Sequence, residues 1–313
     1  MNAYRGKHTS SSVPWAVSST ASSHYRSRHQ ARNRKRKRWG IAAVILVLLM
    51  LAYPFLEALL LRVDRVNLTS EDLPSDIGHL RIVFVSDVHY GFCFPDSRVA
   101  SLVNQINQLK PDIVLFGGDM GDDPASAVSF YQHLPSIHAR YAMLGVLGER
   151  DHGEDTLEQN LITDAMRNAG VTPLLNTAAG VRVGNSTIYV AGLDDVNAGI
   201  PDLSGLAART AAEDYVIFLS HNPSIVSEAQ RAVDRNGKLG WFDLALFGHT
   251  HGGQILGLGP LMDIGADVED HYRRGWLVEN RSDLIISNGV GTSVLPARLL
   301  RPPQIHCIDV SLP

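Results

Sequence analysis

The chain has 313 residues, with 28 Lys and Arg against 32 Asp and Glu and a formal net charge of −4 at pH 7. It holds two cysteines, Cys93 and Cys307, which excludes a metal site built from several thiolates. No internal repeat of about 20–50 residues is visible, and the length after the N-terminal segments suits one α/β domain whose core needs no disulfide.

Residues 1–38 form a basic N-terminal tail with ten Lys or Arg residues and no Asp or Glu. Serine and other polar residues separate the charges, and apolar residues are few. Such a segment cannot bury enough apolar surface to offset the entropy of ordering, so the sequence predicts a disordered tail. A topology signal for the segment that follows is the favoured interpretation of its charge. Contact with anionic lipid or nucleic acid is the alternative.

An apolar segment follows the tail, because Trp39–Leu56 carries no charge over 18 residues and the segment continues past Glu57 to Leu61. About 20 mainly apolar residues cross a bilayer, so residues 39–61 are predicted to be a transmembrane anchor rather than a buried core helix. No Ala-x-Ala-like cleavage site follows, which favours a retained anchor over a removed signal peptide. Since Lys and Arg mark the cytoplasmic end of a span, we expect a single-pass inner-membrane protein whose domain, residues 62–313, is extracytoplasmic.

The predicted extracytoplasmic domain is acidic. Without the ten basic residues of the tail, and without Glu57, 18 basic and 31 acidic residues remain, a net charge of −13. The domain therefore lacks the basic surface that duplex DNA or RNA attracts, and no nucleic-acid partner is expected.

Five short apolar runs in the domain each stop at a residue that can bind a metal ion. Runs without alternating polar residues are typical of strands buried on both faces. In open α/β sheets such strands present functional groups at their carboxyl ends, in a common crevice, so we expect these residues to meet at one edge. The runs are Ile82–Val85 before Asp87 and His89, Ile113–Phe116 before Asp119, Ala142–Leu147 before Glu149, Val216–Leu219 before His221, and Leu244–Phe247 before His249 and His251.

The rest of the domain alternates between predicted helices and strands. Capping residues indicate one helix from Asp96–Ser97 to about Leu109, and another from Asp155–Thr156 to Asn168 before Gly170. Four further strands are predicted at Val181–Val183, Thr187–Val190, Asp283–Ile286 and Gln304–Val310.

The first two of these strands flank a Gly184–Asn185 turn and form a predicted hairpin. Asp194 and Asp195 follow it; a turn is the favoured assignment, and support of the metal site from behind its ligands is the alternative. Arg298 and Arg301 lie between the last two strands, and we expect them near the rim of the crevice or in an ordinary exposed loop.

The residue types at the strand ends indicate a particular chemistry. Mixed imidazole and carboxylate ligands suit Mn, Fe or Zn, whereas an all-oxygen set would favour Ca or Mg. A carboxylate can bridge two such ions about 3.5–4 Å apart, and the pair then stabilises an in-line displacement at phosphorus. The pattern therefore predicts metal-assisted hydrolysis of a phosphoester.

In chain order, Asp-x-His at residue 87, Gly-Asp-x-x-Asp at 118, Gly-Glu at 148, His221 and Gly-His-Thr-His at 248 resemble the five signature blocks of the calcineurin-like metallophosphoesterases. The resemblance covers about residues 80–313, since Gly252–Gln254 and Ser287–Ser293 also resemble the membrane-anchored bacterial phosphodiesterase branch. It implies a four-layer αββα sandwich, in which two mixed sheets pack face to face between outer helices.

The resemblance also implies a centre of two divalent transition-metal ions with seven ligands. The ligands of the first ion would be Asp87, His89 and His251. Those of the second would be Glu149, His221 and His249, and Asp119 would bridge the two ions.

The third block departs from the family pattern, because Gly148–Asp151 reads Gly-Glu-Arg-Asp where the family has Gly-Asn-His-Asp. Glu149 replaces the amide ligand, and Arg150 replaces the histidine that steadies or protonates the leaving group. Arg150 can still bind phosphoryl oxygens through its guanidinium fork, but it cannot donate a proton. In an offset alternative Asp151 and His152 fill the two roles. We prefer the unshifted alignment, because the offset spoils the match of the preceding strand.

The substrate class is the least specified property in the sequence. A phosphoester is expected, and the predicted anchor makes a lipid phosphodiester or pyrophosphate a candidate. The apolar loop Ile255–Met262 after the fifth block fits a lipid contact and a core hairpin equally well. Glu149 and Arg150 also allow a rival function, a catalytically degenerate metal-binding membrane protein.

Overall fold

The structure, a computed structural model, describes residues 20–153, 155–256, 258, 264–265 and 267–313, and the chain divides into two units between Ala52 and Tyr53. The helices are α1 (Thr20–Glu57), α2 (Asp96–Leu109), α3 (Pro124–His133), α4 (Thr156–Asn168), α5 (Leu203–Ala207) and α6 (Val226–Ala229). The strands are β1 (Arg62–Thr69), β2 (His79–Val85), β3 (Ile113–Phe116), β4 (Ala142–Gly145), β5 (Thr172–Pro173), β6 (Thr177–Val183), β7 (Ser186–Gly192), β8 (Val216–Leu219), β9 (Leu244–Phe247), β10 (Gly275–Glu279), β11 (Ser282–Ile286) and β12 (Gln304–Ser311).

Helix α1 contains the apolar segment. Its stretch Arg34–Glu57 has a mean hydropathy of 2.3 and is long and apolar enough to cross a membrane. The helix ends at Glu57, before the predicted end of the anchor at Leu61. It also covers residues 20–38, for which the composition predicts a disordered tail. They contain no Gly or Pro and many Arg and Lys, which propagate a helix well. Residues 1–19 of the predicted tail lie outside the described residues.

Two six-stranded mixed sheets form the domain. The strand order is β1-β12-β2-β3-β4-β5 in the first and β10-β11-β9-β8-β7-β6 in the second. Strands β2, β3 and β4 are parallel neighbours, with Val83 opposite Val114 and Val114 opposite Met143. In the second sheet β7, β8, β9 and β11 are parallel neighbours. Pairs β12–β2, β6–β7 and β10–β11 are antiparallel.

Alternation along the strands separates three hydrophobic layers. Phe84 of β2 and Ile217 of β8 belong to the core between the sheets. The next residue along β2, Val83, packs instead with Leu102 of α2 outside the first sheet. Phe218 faces α5 and α6 outside the second sheet. Helix, sheet, sheet and helix therefore form four layers, which confirms the predicted αββα sandwich.

The local predictions hold with small shifts in boundaries. Helix α4 begins after Asp155, whose side chain accepts hydrogen bonds from two amides of its first turn, and it ends where predicted. Helix α2 ends at Leu109 as predicted, but Pro95 occupies its N-cap position and no side chain caps it. Strands β6 and β7 form the predicted hairpin, with Val183 opposite Ser186, and both are longer than predicted.

The five apolar runs are all strands, but they belong to two sheets rather than to the edge of one. Strands β2, β3 and β4 lie in the first sheet, and β8 and β9 lie in the second. Strands β3, β8 and β9 are buried along their whole length, as continuous apolar runs predict. Because the sheets pack face to face, the loops after these strands meet across the sandwich at one end.

Candidate metal centre

The backbone at the strand ends is bent sharply at the predicted ligands. Five of them take a positive φ, a region that side chains other than glycine seldom occupy. They are Asp87 at 54°, His89 at 51°, Asp119 at 54°, His249 at 67° and His251 at 48°. Such conformations cluster at sites where geometry serves a function.

Three buried side chains form the first potential ligand group, namely Asp87, His89 and His251. The Nε2 atoms of His89 and His251 lie 3.0 Å apart. The Nε2 atom of His251 is 3.6 Å from Oδ1 of Asp87. Two blocks more than 150 residues apart in sequence therefore bring three potential ligands together.

A second buried group contains Asp87, Asp119 and His221. The Oδ2 atom of Asp119 lies 3.4 Å from Nε2 of His221 and 3.8 Å from Nε2 of His89. The other oxygen of Asp119 accepts a hydrogen bond of 2.9 Å from the Arg150 amide, which fixes the carboxylate. One carboxylate oxygen thus faces imidazoles from both groups.

The imidazole rings are oriented by partners on their far side. Nδ1 of His89 is 2.9 Å from Oδ1 of Asp122, and Nδ1 of His221 is 2.8 Å from the Gly117 carbonyl. Both partners are acceptors, so Nδ1 carries the proton and Nε2 is the nitrogen that faces the cluster. Histidines that bind metals are commonly held in this way by a carboxylate or carbonyl.

The donor set fits a divalent cation. Oδ2 of Asp87 and Nε2 of His221 are buried and have no hydrogen-bond partner among the described residues. Buried polar atoms are rarely left without a partner, and an ion is one of the accepted explanations. Since carboxylate oxygens and imidazole nitrogens surround the same point, the chemistry matches Mn, Fe or Zn rather than a structural thiolate site.

The charges in the cluster shift its pKa values in opposite directions. Burial disfavours charged His221, but the adjacent Asp119 carboxylate outweighs this effect and raises the pKa of His221 well above its ordinary value. Burial and the nearby His89 and Arg298 hold the pKa of His251 well below its ordinary value. The pKa of Asp119 is lowered, because its histidine neighbours outweigh its burial. The carboxylates thus attract positive charge to the centre, while His251 remains neutral and able to bind an ion.

Two predicted ligands, Glu149 and His249, stand outside these groups. Nε2 of His249 lies 2.9 Å from Oδ1 of Asp267, although its ring centroid is 5.4 Å from that of His221. Glu149 accepts a hydrogen bond of 3.1 Å from the side chain of Asn197. The structure therefore places both residues beside the centre, with their polar atoms paired to other side chains.

The third block contains Arg150, Asp151 and His152, and the environments of these side chains differ. The side chain of Arg150 is 53% exposed, with Nε 3.7 Å from Glu149. Asp151 is fully buried and accepts hydrogen bonds from the amides of Gly121 and Gly148. Burial and the charge of Asp119 raise the pKa of Asp151 to about 7. Its carboxylate is thus committed to the backbone of the loops.

His152 lies on the same side of the centre, with Nε2 3.0 Å from Oδ1 of Asp194. That hydrogen bond raises the pKa of His152. Asp194 was assigned to a turn from the sequence. In the structure the Asp194 carboxylate also orients the His152 ring through this hydrogen bond.

Gly148 shows how tightly these loops pack. A Cβ atom at this position would lie 2.3 Å from Oδ1 of Asp119. Only glycine lets the third block approach the Asp119 carboxylate this closely.

Four partners of the ligands cannot be placed from sequence motifs alone. Asp122 stands inside the second block, but the pattern does not indicate its contact with His89. Asn222 donates a hydrogen bond of 2.6 Å to Asp267, and neither lies in a recognisable motif. Arg298 was expected at the rim or in an exposed loop, but it is fully buried.

Arg298 holds together the loop between β11 and β12, residues 287–303. Its Nη2 atom donates to the carbonyls of Asn288 at 2.7 Å and Gly291 at 2.6 Å, and it lies 3.1 Å from Nδ1 of His251. Burial lowers the pKa of Arg298 to about 9. Arg298 thus holds the backbone of this loop beside His251.

Comparison with known proteins agrees with this geometry. Residues 80–253, more than half of the chain, match the family model described as calcineurin-like phosphoesterase. An uncharacterized metallophosphoesterase of Aquifex aeolicus is 28% identical over 85% of this chain and 98% of its own length. Phosphodiesterase YaeI of Escherichia coli is 28% identical over 74% of this chain and 82% of its own.

A relative from Danio rerio, named transmembrane protein with metallophosphoesterase domain, is 26% identical over 78% of this chain and 56% of its own length. With the apolar helix, this likeness indicates association with a membrane. The family match, the two-sheet fold and the buried cluster of Asp and His lead to one conclusion. The chain belongs to the calcineurin-like phosphoesterase family.

Proposed function

We propose that the protein is a phosphodiesterase or pyrophosphatase that works through two divalent transition-metal ions. One observation carries the proposal: Oδ2 of Asp119 faces His89 on one side and His221 on the other, at 3.8 and 3.4 Å. A carboxylate in that position suits the bridge of a two-ion centre. Family membership itself implies hydrolysis of phosphoesters with divalent metals.

The ligand assignment follows from the two groups. Asp87, His89 and His251 would hold the first ion, and His221 would hold the second. Both groups contain Asp87, but Asp119 is assigned as the bridge because its Oδ2 atom faces both His89 and His221. Glu149 and His249 would complete the second site. His249 engages Asp267 through Nε2, which leaves Nδ1 as its ligand atom.

When bound, the ions supply Lewis-acid polarisation of the phosphoryl group and an activated water. The chain itself supplies binding and orientation. A cleft of about 680 Å³ beside the centre is lined by Asp122, Glu149, Arg150 and His152, among others. Arg150 would bind phosphoryl oxygens there and stabilise the charge that develops on them.

The structure supports the unshifted alignment of the third block. Asp151 would have to abandon two backbone amides to become a ligand, as the offset alternative requires. In the unshifted alignment it keeps them, and Arg150 takes the position that faces the substrate. His152, held by Asp194, then contributes to the wall of the cleft rather than to proton transfer.

The metal content of the purified protein tests the two-ion proposal directly. Mass spectrometry should find two transition-metal ions per chain, and Asp119→Asn should lose at least one of them and lower turnover of a nitrophenyl phosphodiester by about 10²-fold or more. Asp164→Asn, on an exposed face of α4, is the control and should change neither quantity. One ion per chain, or an unchanged Asp119→Asn variant, would contradict the proposal.

The position of Glu149 favours one alternative, a metal-binding membrane protein without catalytic activity. Its carboxylate pairs with Asn197 and lies near Arg150 instead of joining the buried groups. Turnover of the same diester with added Mn²⁺ separates the two functions. A protein that binds metal and shows no turnover on monoesters, diesters or pyrophosphates would be the degenerate form.

The finer location is part of the proposal. We infer a single-pass inner-membrane protein whose domain is extracytoplasmic, because the Lys and Arg residues precede the apolar span.

A further inference from the structure

Exposed apolar side chains surround one edge of the domain. They are here called the apolar rim, and they are between 49% and 100% exposed. A few exposed apolar residues are normal for any protein, but several on adjoining loops mark an interaction surface. The rim consists of Leu59, Leu60, Phe92, Val294, Leu295 and Leu300.

The loop between β11 and β12, which carries three of the rim residues, is hydrogen-bonded to the end of α1. The Leu300 amide donates a hydrogen bond of 2.9 Å to the buried carboxylate of Glu57. The Arg298 amide donates one of 2.9 Å to the Pro54 carbonyl. The loop therefore lies against the segment in which the apolar helix ends.

The Phe92 loop is joined to the same segment through Arg98. One nitrogen of this side chain donates to the carbonyl of Cys93 at 2.8 Å, and another to that of Ala58 at 2.9 Å. Phe92, next to Cys93, is 100% exposed. Leu59 and Leu60 follow Ala58 directly, so the three parts of the rim adjoin one another.

Two rim residues are held in a strained backbone. Val294 has a φ of 57° and Leu300 a φ of 56°. A positive φ is unfavourable for both residues, and most of all for a β-branched one. An exposed apolar side chain makes no favourable contact in water that would offset this strain. The strain is therefore consistent with a contact that the domain alone does not contain.

The rim also adjoins the metal centre. Gln254, three residues after His251, exchanges hydrogen bonds of 2.8–2.9 Å with the backbone of Ser293. The Gly291 amide donates to the Asp87 carbonyl at 2.7 Å. Phe92 follows His89 by three residues. The rim and the proposed metal ligands are therefore carried by connected loops.

The chain itself indicates what covers the rim. The apolar span ends at Glu57, and Leu59 and Leu60 follow within three residues. Three extended residues reach at most about 11 Å, so these leucines lie at the membrane surface if α1 crosses the bilayer. The domain carries a net charge of −13 after the anchor. Since anionic head groups repel such a domain, apolar contact rather than charge has to hold this face on the bilayer.

We propose that the apolar rim is seated in the lipid surface, and that the substrate is a phosphoester carried by a membrane lipid. The proposal rests on the phosphoesterase function proposed above and specifies its substrate class. The rim would hold the metal centre at the depth of the head groups. A lipid substrate then reaches the centre without leaving the bilayer.

The test uses the full chain in phosphatidylcholine vesicles. The rim variant is Phe92→Ser, Val294→Asn and Leu300→Asn combined, because Asn tolerates the positive φ at the last two positions. The control is Leu239→Asn, an equally exposed leucine, 64% exposed, before the amino end of β9. Three substrates are compared: phosphatidylglycerol in the vesicles, its water-soluble deacylated head group, and a nitrophenyl diester. Phosphatidic acid and diacylglycerol pyrophosphate extend the panel to lipid monoesters and pyrophosphates.

We expect wild type to cleave at least one vesicle lipid at least about tenfold faster than its soluble head group, and the rim variant to lose that preference. The control should keep it, and all three proteins should cleave the nitrophenyl diester equally. Equal rates on lipid and soluble head group in wild type, or an unchanged preference in the rim variant, would overturn the inference. Absence of nitrophenyl diester turnover in wild type would instead overturn the proposed function.

A binding measurement keeps the inference testable if the rim variant folds poorly. Phe92→Trp should show added fluorescence quenching by brominated lipid, whereas Leu239→Trp should not. Equal quenching of the two variants would show that the rim does not enter the bilayer, and would leave a protein partner as its occupant.

Discussion

At the scale of single residues, the centre combines strained backbone with buried charge. Asp87, Asp119 and His251 each have a positive φ, at a cost of roughly 1–3 kcal/mol for each such residue. The hydrogen bonds at their far side hold them there, as the Arg150 amide holds Asp119. The strained backbone lowers the stability of the metal-free protein, but it holds the ligands in place before an ion binds. A bound ion should therefore stabilise the fold.

Arg150 is the residue whose substitution best tests the proposed chemistry. Arg150→Ala should lower kcat/KM for a nitrophenyl diester about 10–100-fold, because a charged donor to the phosphoryl oxygens is lost. Arg150→His should raise the rate on an alkyl diester more than on the nitrophenyl ester, since only the alkoxide leaving group needs a proton. Steady-state kinetics with both esters measures these effects.

His152→Ala is the companion variant. With Asp151 locked by two amides, His152 is expected to have little effect on either ester. Loss of activity in His152→Ala together with a neutral Arg150→His would instead establish the offset alignment, with the histidine acting on the leaving group.

At the scale of elements, strands β8 and β9 carry different kinds of ionisable residues at their two ends. The carboxyl ends of β8 and β9 lead to His221, His249 and His251. At their amino ends Asp243 accepts a hydrogen bond of 2.7 Å from the Val216 amide. Burial, with added repulsion from Asp72, raises the pKa of Asp243 to about 7. An acid with a raised pKa keeps its proton in the folded state and releases it on unfolding.

Asp243 should therefore make stability fall as pH rises. In unfolded chains Asp titrates near pH 3.9, so between about pH 4 and 7 the folded state holds a proton that the unfolded state has lost. The stabilising effect of this proton decreases as pH rises through that window and is lost above it. Asp243→Asn keeps an acceptor for Val216 without the charge. It should raise Tm by about 2–4 °C more at pH 8 than at pH 5, for a relieved cost of about 1 kcal/mol.

Differential scanning calorimetry at the two pH values makes this measurement. Glu71→Gln, at an exposed position in the first part of the domain, is the control and should shift Tm equally at both. A gain in Asp243→Asn that does not depend on pH would contradict the assignment of the raised pKa.

At the scale of the whole molecule, orientation in the membrane decides which substrates the centre can meet. The basic residues lie before the span and the acidic domain after it, so the tail should remain in the cytoplasm. A β-lactamase fused to the C-terminus should confer ampicillin resistance, whereas one fused after residue 30 should not. Replacing the five residues Arg34–Arg38 with Asn should weaken this asymmetry. The opposite resistance pattern would place the domain in the cytoplasm, where nucleotide-activated lipid precursors become candidate substrates.

Much of the fold was predictable from local patterns. Buried runs such as Ile113–Phe116 were recognised as strands because burial on both faces removes polar alternation. The cap at Asp155 and the turn at Gly184–Asn185 act through neighbouring backbone groups, so their signals lie within a few residues. Composition predicts a disordered tail over residues 1–38, and composition alone does not register that α1 begins at Thr20 and continues into the apolar span.

For the centre, the sequence alone determined which residue types follow which strands, and these residue types indicate a divalent metal and hydrolysis of a phosphoester. Tertiary structure decided the rest. It distributed the strands over two sheets and brought His89 within 3.0 Å of His251. It also paired His249 with Asp267 and buried Arg298 beside His251. The physical reason is range: strand burial and caps depend on near neighbours, whereas the partners of a charged side chain depend on how loops distant in sequence pack together.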